Sequence, residues 1–249
     1  MPWPTIERIV RNLADLGYDG RVSWYRMNEP LLDKRLPEIC RFTRRRLPHC
    51  HQTIITNGEL LTQELYDTLV ASGLDHLTVS AYSDDILNKV IRLRMPKCNI
   101  KDRRDPAYTW ENRGGNIVEL VARRPVPALQ GCQRPSTMMN VLPNGDIALC
   151  CADLHGDVIM GNVNRSLLEA VWYGEAFERY RESLKAHGRQ GLRLCEKCDH
   201  DGTGHGRNGN GGPSVGRDSG TTTSLYLDHL EHDELRAAVP ELPFRELSS

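Results

Sequence analysis

The sequence predicts an α/β fold in two parts, and three observations indicate it. Helices and short strands alternate along the first ninety residues. An Asn-Gly turn between two strand-like runs then predicts a hairpin near residue 145. Five of the eight cysteines follow residue 130. We therefore expect a parallel α/β half followed by a smaller α+β part that carries a cysteine site.

The elements of the first half follow from apolar spacing and from helix-ending residues. Apolar positions at helical spacing predict helices over 5–16 and 36–47, a third between Thr62 and Gly73, and a short one over 86–93. The predicted strands are 21–25, 52–55, 76–80 and 99–102. Strands joined through helices pair in parallel with right-handed crossovers.

The second half predicts different elements. Residues 138–142 and 146–151 form the predicted hairpin, and helices are expected over 166–173 and 176–186. Eight glycines between Gly202 and Gly220 predict a flexible tail, with a short helix starting near Leu225. The expected domains are 1–110, 111–200 and a tail over 201–249.

Composition excludes several classes of protein. The formal net charge is -1 and the pI is about 6.8, which is unlike a nucleic-acid-binding domain. No apolar run reaches the roughly 18 residues that a membrane span needs. The N-terminus lacks the layout of a secretory signal. We expect a cytoplasmic protein with neither nucleic-acid nor membrane partners.

Four cysteines form the best candidate metal site. They are Cys132, Cys150, Cys195 and Cys198. A hairpin brings the first two together and a CxxC turn the last two, so four thiolates can surround one zinc ion or one iron–sulfur cluster. Spacing leaves zinc and iron–sulfur open. Strand alternation would turn Cys151 to the opposite face.

The second half resembles the SPASM or twitch domain of radical S-adenosylmethionine (SAM) enzymes. The motifs that carry the resemblance are the four cysteines, Gly145, Gly161-Asn162-Val163, the 167–172 run LLEAVW, and Asn112-Arg113-Gly114-Gly115-Asn116 before the domain. The resemblance implies an auxiliary 4Fe–4S cluster, and four cysteines fit the one-cluster twitch form.

The first half resembles the partial parallel (β/α) barrel of the same family. The candidate SAM-binding residues are Asn28, Glu29, Pro30, Thr56, Asn57, Ser80 and Tyr82. They follow predicted strands, and α/β folds bind ligands at the carboxyl ends of their strands. By resemblance, Asn28-Glu29-Pro30 matches the family's GEP segment, which contacts the SAM amino group, with Asn28 in place of the usual glycine.

The family's CxxxCxxC loop, which holds the SAM-cleaving cluster, does not occur in this sequence. We expect it to lie before Met1, so that the chain is the C-terminal portion of a longer enzyme with an exposed strand edge. The alternative is a degenerate homologue that lacks SAM cleavage.

The resemblance implies a radical SAM oxidoreductase acting through a 5′-deoxyadenosyl radical on a small polar or peptide substrate, with the auxiliary cluster accepting an electron. The rival hypothesis is a non-catalytic binding protein that carries a cluster or zinc. An acidic electron donor such as a flavodoxin or ferredoxin could dock on the basic residues Arg41, Arg44, Arg45 and Arg46. His200 and His205 are expected to lie in the tail and to ligate nothing.

Overall fold

The computed structural model of the protein describes residues 1–104, 110–117, 119, 125–126, 131–202 and 225–228, the last as backbone only. Its helices are α1 (Trp3–Asp15), α2 (Leu36–Arg46), α3 (Gln63–Ala71), α4 (Asp84–Val90), α5 (Arg134–Thr137), α6 (Leu168–Trp172) and α7 (Glu175–His187). Its strands are β1 (Arg21–Ser23), β2 (His51–Thr56), β3 (His76–Ala81), β4 (Cys98–Asp102), β5 (Met138–Val141), β6 (Asp146–Ala148), β7 (Ile159–Asn162) and β8 (Leu225–Asp228).

The strands form one sheet in the order β4-β3-β2-β1-β8-β5-β6-β7. The strands β1 to β4 pair in parallel, as the alternation of helix and strand predicts. The strands β5, β6 and β7 pair antiparallel, which confirms the predicted hairpin. A mixed α/β fold with a parallel sheet is therefore confirmed, while closure into a barrel stays a prediction.

Helix α1 joins the two parts of the chain. It buries Ile6, Ile9 and Leu13, which the helical spacing placed on one face. Its polar side reaches the second part, since the Asn12 Oδ1 accepts a hydrogen bond from the Leu168 backbone N–H at 3.1 Å. Truncating one such buried leucine or isoleucine costs about 2–5 kcal/mol. The helix thus anchors the SPASM-like part to the parallel sheet.

The prediction that a helix starts near Leu225 is wrong. Residues Leu225–Asp228 form a strand that pairs antiparallel with β1 and with β5. Unpaired backbone groups at the edges of two strands favour an inserted strand over a helix without a core to pack against. The strand also covers the edge of β1 that we expected to be exposed. Apart from this strand and 201–202, the predicted tail, including His205, lies outside the described residues.

Among the helices that the structure describes, none combines the length and the apolar character that crossing a bilayer requires.

Candidate functional site

The candidate SAM-binding residues lie at the carboxyl ends of β1, β2 and β3. Parallel pairing sets Thr56 of β2 opposite Val79 of β3, so Asn57 and Ser80 come next along neighbouring strands. The loop after β1 brings Asn28, Glu29 and Pro30 to the same edge through the hydrogen bonds described below. We call these residues, together with Tyr82, the strand-end site.

Glu29 organises the strand-end site. Its Oε1 accepts hydrogen bonds from the Leu31 backbone N–H at 3.0 Å and the Thr56 hydroxyl at 2.7 Å. Its Oε2 accepts one from the Asn57 backbone N–H at 2.7 Å. Burial raises the pKa of Glu29 above its ordinary value, although these three hydrogen bonds favour the charged form. The carboxylate therefore ties the loop after β1 to the end of β2.

The remaining members of the site differ in burial. Pro30 is buried and starts a short 3₁₀ helix, Pro30–Leu32. The Asn28 Oδ1 accepts a hydrogen bond from the Arg26 backbone N–H at 3.2 Å. Ser80 is buried in β3, whereas Tyr82 is exposed and its ring stacks on Trp110 at 6.1 Å between centroids. Whether all seven residues bind SAM stays a prediction.

The four predicted ligand cysteines come together in the second part of the chain. Cys150, Cys195 and Cys198 are buried, and Cys132 is partly buried. Burial, followed by the neighbouring thiols Cys132 and Cys198, raises the pKa of Cys195 to about 12. Burial also raises the pKa of the other three thiols, and Cys150 is affected by both Cys132 and Cys198. Four thiols thus act on one another in one poorly solvated place, which we call the cysteine site.

The donors around the cysteine site suit sulfur that carries negative charge. The Cys132 sulfur accepts a hydrogen bond from the Arg134 backbone N–H, and the Cys198 sulfur accepts one from the His200 backbone N–H. Hydrogen bonds to ligand sulfurs are among the features that tune iron–sulfur centres.

The donor set of the site fits an iron–sulfur cluster. Cysteine thiolates are the ligands that such clusters take, and a 4Fe–4S cluster binds one thiolate on each of its four irons. Four cysteines, three of them buried and one partly buried, are present here. The residues present therefore fit the cluster.

Asn112 holds the CxxC turn in place. Its backbone N–H donates to the Asp199 Oδ1 at 2.9 Å, and its Nδ2 donates to the Lys197 carbonyl at 2.8 Å. Asn116 donates from Nδ2 to the Ala152 carbonyl at 3.2 Å, beside the other pair of cysteines. The asparagine-rich connector thus contacts the segment that follows Cys150 and the segment that contains Cys195 and Cys198.

The prediction that strand alternation turns Cys151 away from Cys150 rests on a strand that ends too early. Strand β6 ends at Ala148, so Cys150 and Cys151 lie in a bend and a turn where strand alternation does not apply. Cys151 acts electrostatically on both Cys132 and Cys150. It is a fifth thiol at the edge of the cysteine site.

His200 is also not part of a tail. It is buried, and its Nδ1 accepts a hydrogen bond from the Gly202 backbone N–H at 2.9 Å. Burial, with the charge of Arg134 next, lowers the pKa of His200 to about 4, so the ring is neutral at pH 7.

Arg26 links the two sites, and the sequence offered no signal for it. Its side chain donates to the carbonyls of Asp153 and Cys150, the latter at 3.4 Å. Its backbone N–H contacts Asn28 in the strand-end site. The Asp153 carboxylate accepts from the backbone N–H groups of Asp157 at 2.8 Å and Val158 at 2.9 Å, so it orders the loop after the cysteines.

The basic residues proposed for donor docking have mixed roles. Arg44 donates to the carbonyls of Pro48 and Cys50, both at 2.8 Å, and pairs with Asp75. It therefore holds the turn between α2 and β2, while Arg45 and Arg46 are exposed. Docking of an electron donor stays a prediction.

Comparison with known proteins shows what these features are similar to. Residues 132–199, which include the four cysteines, match the SPASM iron–sulfur cluster-binding domain. The chain is also similar to a protein described as S-adenosyl-L-methionine-dependent. The SPASM match runs from the first predicted ligand, Cys132, to the residue after the last, Cys198.

One curated relative and two solved structures are similar to most of the chain. The relative is the S-adenosyl-L-methionine-dependent 2-deoxy-scyllo-inosamine dehydrogenase of Niallia circulans, 26% identical over 77% of this chain and 78% of that protein. The structure of BtrN with AdoMet and 2-DOIA has a TM-score of 0.71 at 24% identity, over 90% of this chain and 85% of BtrN. An open conformation of BtrN scores 0.64, at 24% identity over 80% of each chain. The predicted cofactors, a 4Fe–4S cluster and SAM, are confirmed as those of the matched domain and the relatives.

Proposed function

We propose that this chain belongs to a radical SAM oxidoreductase that abstracts hydrogen from a small polar substrate, with one auxiliary 4Fe–4S cluster as electron acceptor. The observation that carries the proposal is the adjacency of the two sites. Arg26 contacts Asn28 of the strand-end site through its backbone and the Cys150 carbonyl through its side chain. A substrate bound at this junction would face both sites.

The strand-end residues would hold SAM without using the Glu29 carboxylate as a free ligand. Both oxygens of Glu29 already accept protein hydrogen bonds. Its role in the proposal is to fix the loop that carries Asn28 and Pro30, so that backbone groups there are presented to the cofactor. Thr56 and Asn57 are fixed by the same carboxylate. Protein hydrogen bonds alone hold these groups, which would preorganise the site for a ligand.

The cysteine site would supply four ligands from the protein. When bound, SAM supplies the hydrogen-abstracting 5′-deoxyadenosyl radical and the auxiliary cluster supplies an acceptor for the substrate's electron. Because Cys132, Cys150, Cys195 and Cys198 would fill every iron position, no iron is open to substrate. The site is therefore suited to electron transfer and unsuited to direct coordination of the substrate.

A hydroxylated, amine-bearing small molecule is the substrate class that we propose. The N. circulans relative is a 2-deoxy-scyllo-inosamine dehydrogenase, and its coverage extends over most of both proteins. At 26% identity the individual substrate is free to differ. Oxidation of a secondary alcohol on a small polar ring is the reaction that this relative suggests.

The test is SAM cleavage after anaerobic reconstitution of the cluster. Residues 1–249 contain no CxxxCxxC, so we expect no 5′-deoxyadenosine from this chain alone. We expect the product when the chain is expressed with in-frame upstream coding sequence that supplies the motif. Product from the chain alone would contradict our assignment of the cleaving loop. Bound cluster without product from any form would contradict the proposed activity and favour the non-catalytic binding protein.

A further inference from the structure

Two arginines are buried beside the cysteine site. Arg134 begins α5, directly after the first cysteine segment, and its side chain is 3% exposed. Arg189 follows α7 and is 1% exposed. A guanidinium stays charged in proteins, and a buried one occurs only where other groups compensate for its lost hydration. Their position therefore needs an explanation beyond packing.

Arg189 connects both pairs of cysteines through the backbone. Its Nη1 donates to the Cys198 carbonyl at 2.8 Å, and its Nη2 donates to the Gly131 carbonyl, next to Cys132, at 3.5 Å. The Arg134 Nη2 is 3.4 Å from the Glu111 Oε2. The two guanidinium groups thus approach the thiols from different elements, α5 and the segment after α7.

Both guanidinium groups lie beside segments that carry the cysteines. Arg134 stands two residues after Cys132 in the chain, and its side chain is buried. Arg189 is hydrogen-bonded to the carbonyls of Gly131 and Cys198. Two buried positive charges therefore lie next to the cysteine site.

This arrangement has a consequence for a bound cluster. Four thiolates bring four negative charges into a site with little water, and iron offsets only part of that charge. Reduction adds one more negative charge in the same place. Nearby fixed cations stabilise the more negative state, and low exposure weakens the screening by solvent.

We propose that Arg134 and Arg189 set the reduction potential of the auxiliary cluster by stabilising its reduced state. The proposal rests on the proposed function, because it needs a cluster on these cysteines. It makes both arginines positioning residues, which act through the cluster and not on substrate. A purely structural role would instead predict loss of stability without a change of potential.

The experiment is an anaerobic redox titration, followed by electron paramagnetic resonance, of the reconstituted full chain and its variants. Arg189→Gln and Arg134→Gln keep a hydrogen-bond donor and remove the charge. We expect each to keep iron and sulfide and to shift the one-electron equilibrium about tenfold toward the oxidised form, a fall of about 59 mV. The reduction potentials of Arg189→Lys and Arg134→Lys should fall by less, because lysine keeps the positive charge.

Arg181→Gln is the matched control. Arg181 is also a buried arginine of the second part, and it donates to the carbonyls of Pro135 at 3.0 Å and Trp172 at 2.7 Å. Its guanidinium also lies over the Trp172 ring, 4.2 Å from the ring centroid. Its replacement should lower stability and leave the potential unchanged.

Glu111→Gln gives a test of opposite sign. The Glu111 carboxylate opposes the charge of Arg134, so its neutralisation should raise the potential. If both glutamine variants titrate like wild type, or if Arg181→Gln shifts as much, the proposal is overturned. If the glutamine variants do not fold, the lysine variants decide. Folded lysine variants with a reduction potential below that of the wild type support the proposal. Lysine variants that bind the cluster at the wild-type potential, together with an unshifted Glu111→Gln, overturn it. A wild-type chain that takes up no iron or sulfide would instead overturn the proposed function itself.

Discussion

The strand-end site and the cysteine site solve opposite electrostatic problems. At the strand ends one half-buried carboxylate, Glu29, accepts hydrogen bonds from N–H and hydroxyl donors of neighbouring loops. At the cysteine site three buried thiols and one partly buried thiol act on one another, and two buried arginines lie beside them. The first site is complete as protein alone. The second collects groups whose charged forms need a cofactor, so its stability should depend on that cofactor.

The largest expected effect comes from a change that disrupts the cysteine site alone. Replacing Cys195 and Cys198 together by serine should abolish iron and sulfide binding, because two of four ligands are lost. Iron and sulfide assays after reconstitution measure this. Cys98→Ser is the matched control, since Cys98 lies in β4 on the parallel sheet. SAM binding by isothermal titration should survive in the double variant, and its loss there would contradict the independence of the two sites.

The second prediction concerns a change that disrupts the strand-end site alone. Glu29→Ala leaves the Leu31 and Asn57 backbone N–H groups without their acceptor, which should cost about 1–3 kcal/mol of unfolding free energy. SAM affinity should fall as the loop after β1 loses its tie to β2. Urea denaturation and isothermal titration measure the two effects. Glu59→Ala, an exposed neighbour, should change neither, and cluster content should stay at the wild-type level.

The third prediction concerns the link between the regions. Arg26→Met removes the donor to the Cys150 and Asp153 carbonyls, and we expect a loss of about 1–3 kcal/mol. Hydrogen exchange should rise in both the loop after β1 and residues 150–158. A rise confined to one of the two segments would show that Arg26 does not couple the sites.

The sequence predicts the two regions unequally, and the reason is physical. Helical and strand periodicity depends on neighbouring residues, so α1 to α4 and β1 to β4 were predicted to within a few residues. The four cysteines were predicted as a set because CxxC and hairpin geometry are local. Strand β8 was not, because its stability comes from pairing with strands far away along the chain.

The charged residues around the sites were the least predictable. In sequence Arg26, Arg134 and Arg189 look like any solvated arginine. Only the fold brings Arg26 and Arg189 within hydrogen-bond reach of cysteine-bearing segments and buries the Arg134 side chain. Asn112 was noted only as part of a connector, although it is hydrogen-bonded to Lys197 within the CxxC turn and to Asp199 directly after it. Long-range contacts of single polar residues leave no periodic signal for sequence analysis to find.

The smallest expected effect is a pH dependence that separates the regions. Burial raises the pKa of Glu29 in the folded state, so the folded chain binds this proton more tightly than the unfolded chain does. Its contribution to stability is complete below the unfolded pKa and is lost as pH rises through the folded pKa. Relative to Glu29→Gln, the wild-type free energy of unfolding should therefore decline as pH rises through the folded pKa. A difference that is constant with pH would contradict the assignment of the shift to Glu29.

The central claim is that Cys132, Cys150, Cys195 and Cys198 hold one 4Fe–4S cluster. The most direct measurement is the mass and metal content of the anaerobically reconstituted chain, by native mass spectrometry together with iron, sulfide and zinc assays. The account predicts about four irons and four sulfides per chain. One zinc ion without sulfide would contradict it and would make the four thiolates a structural zinc site.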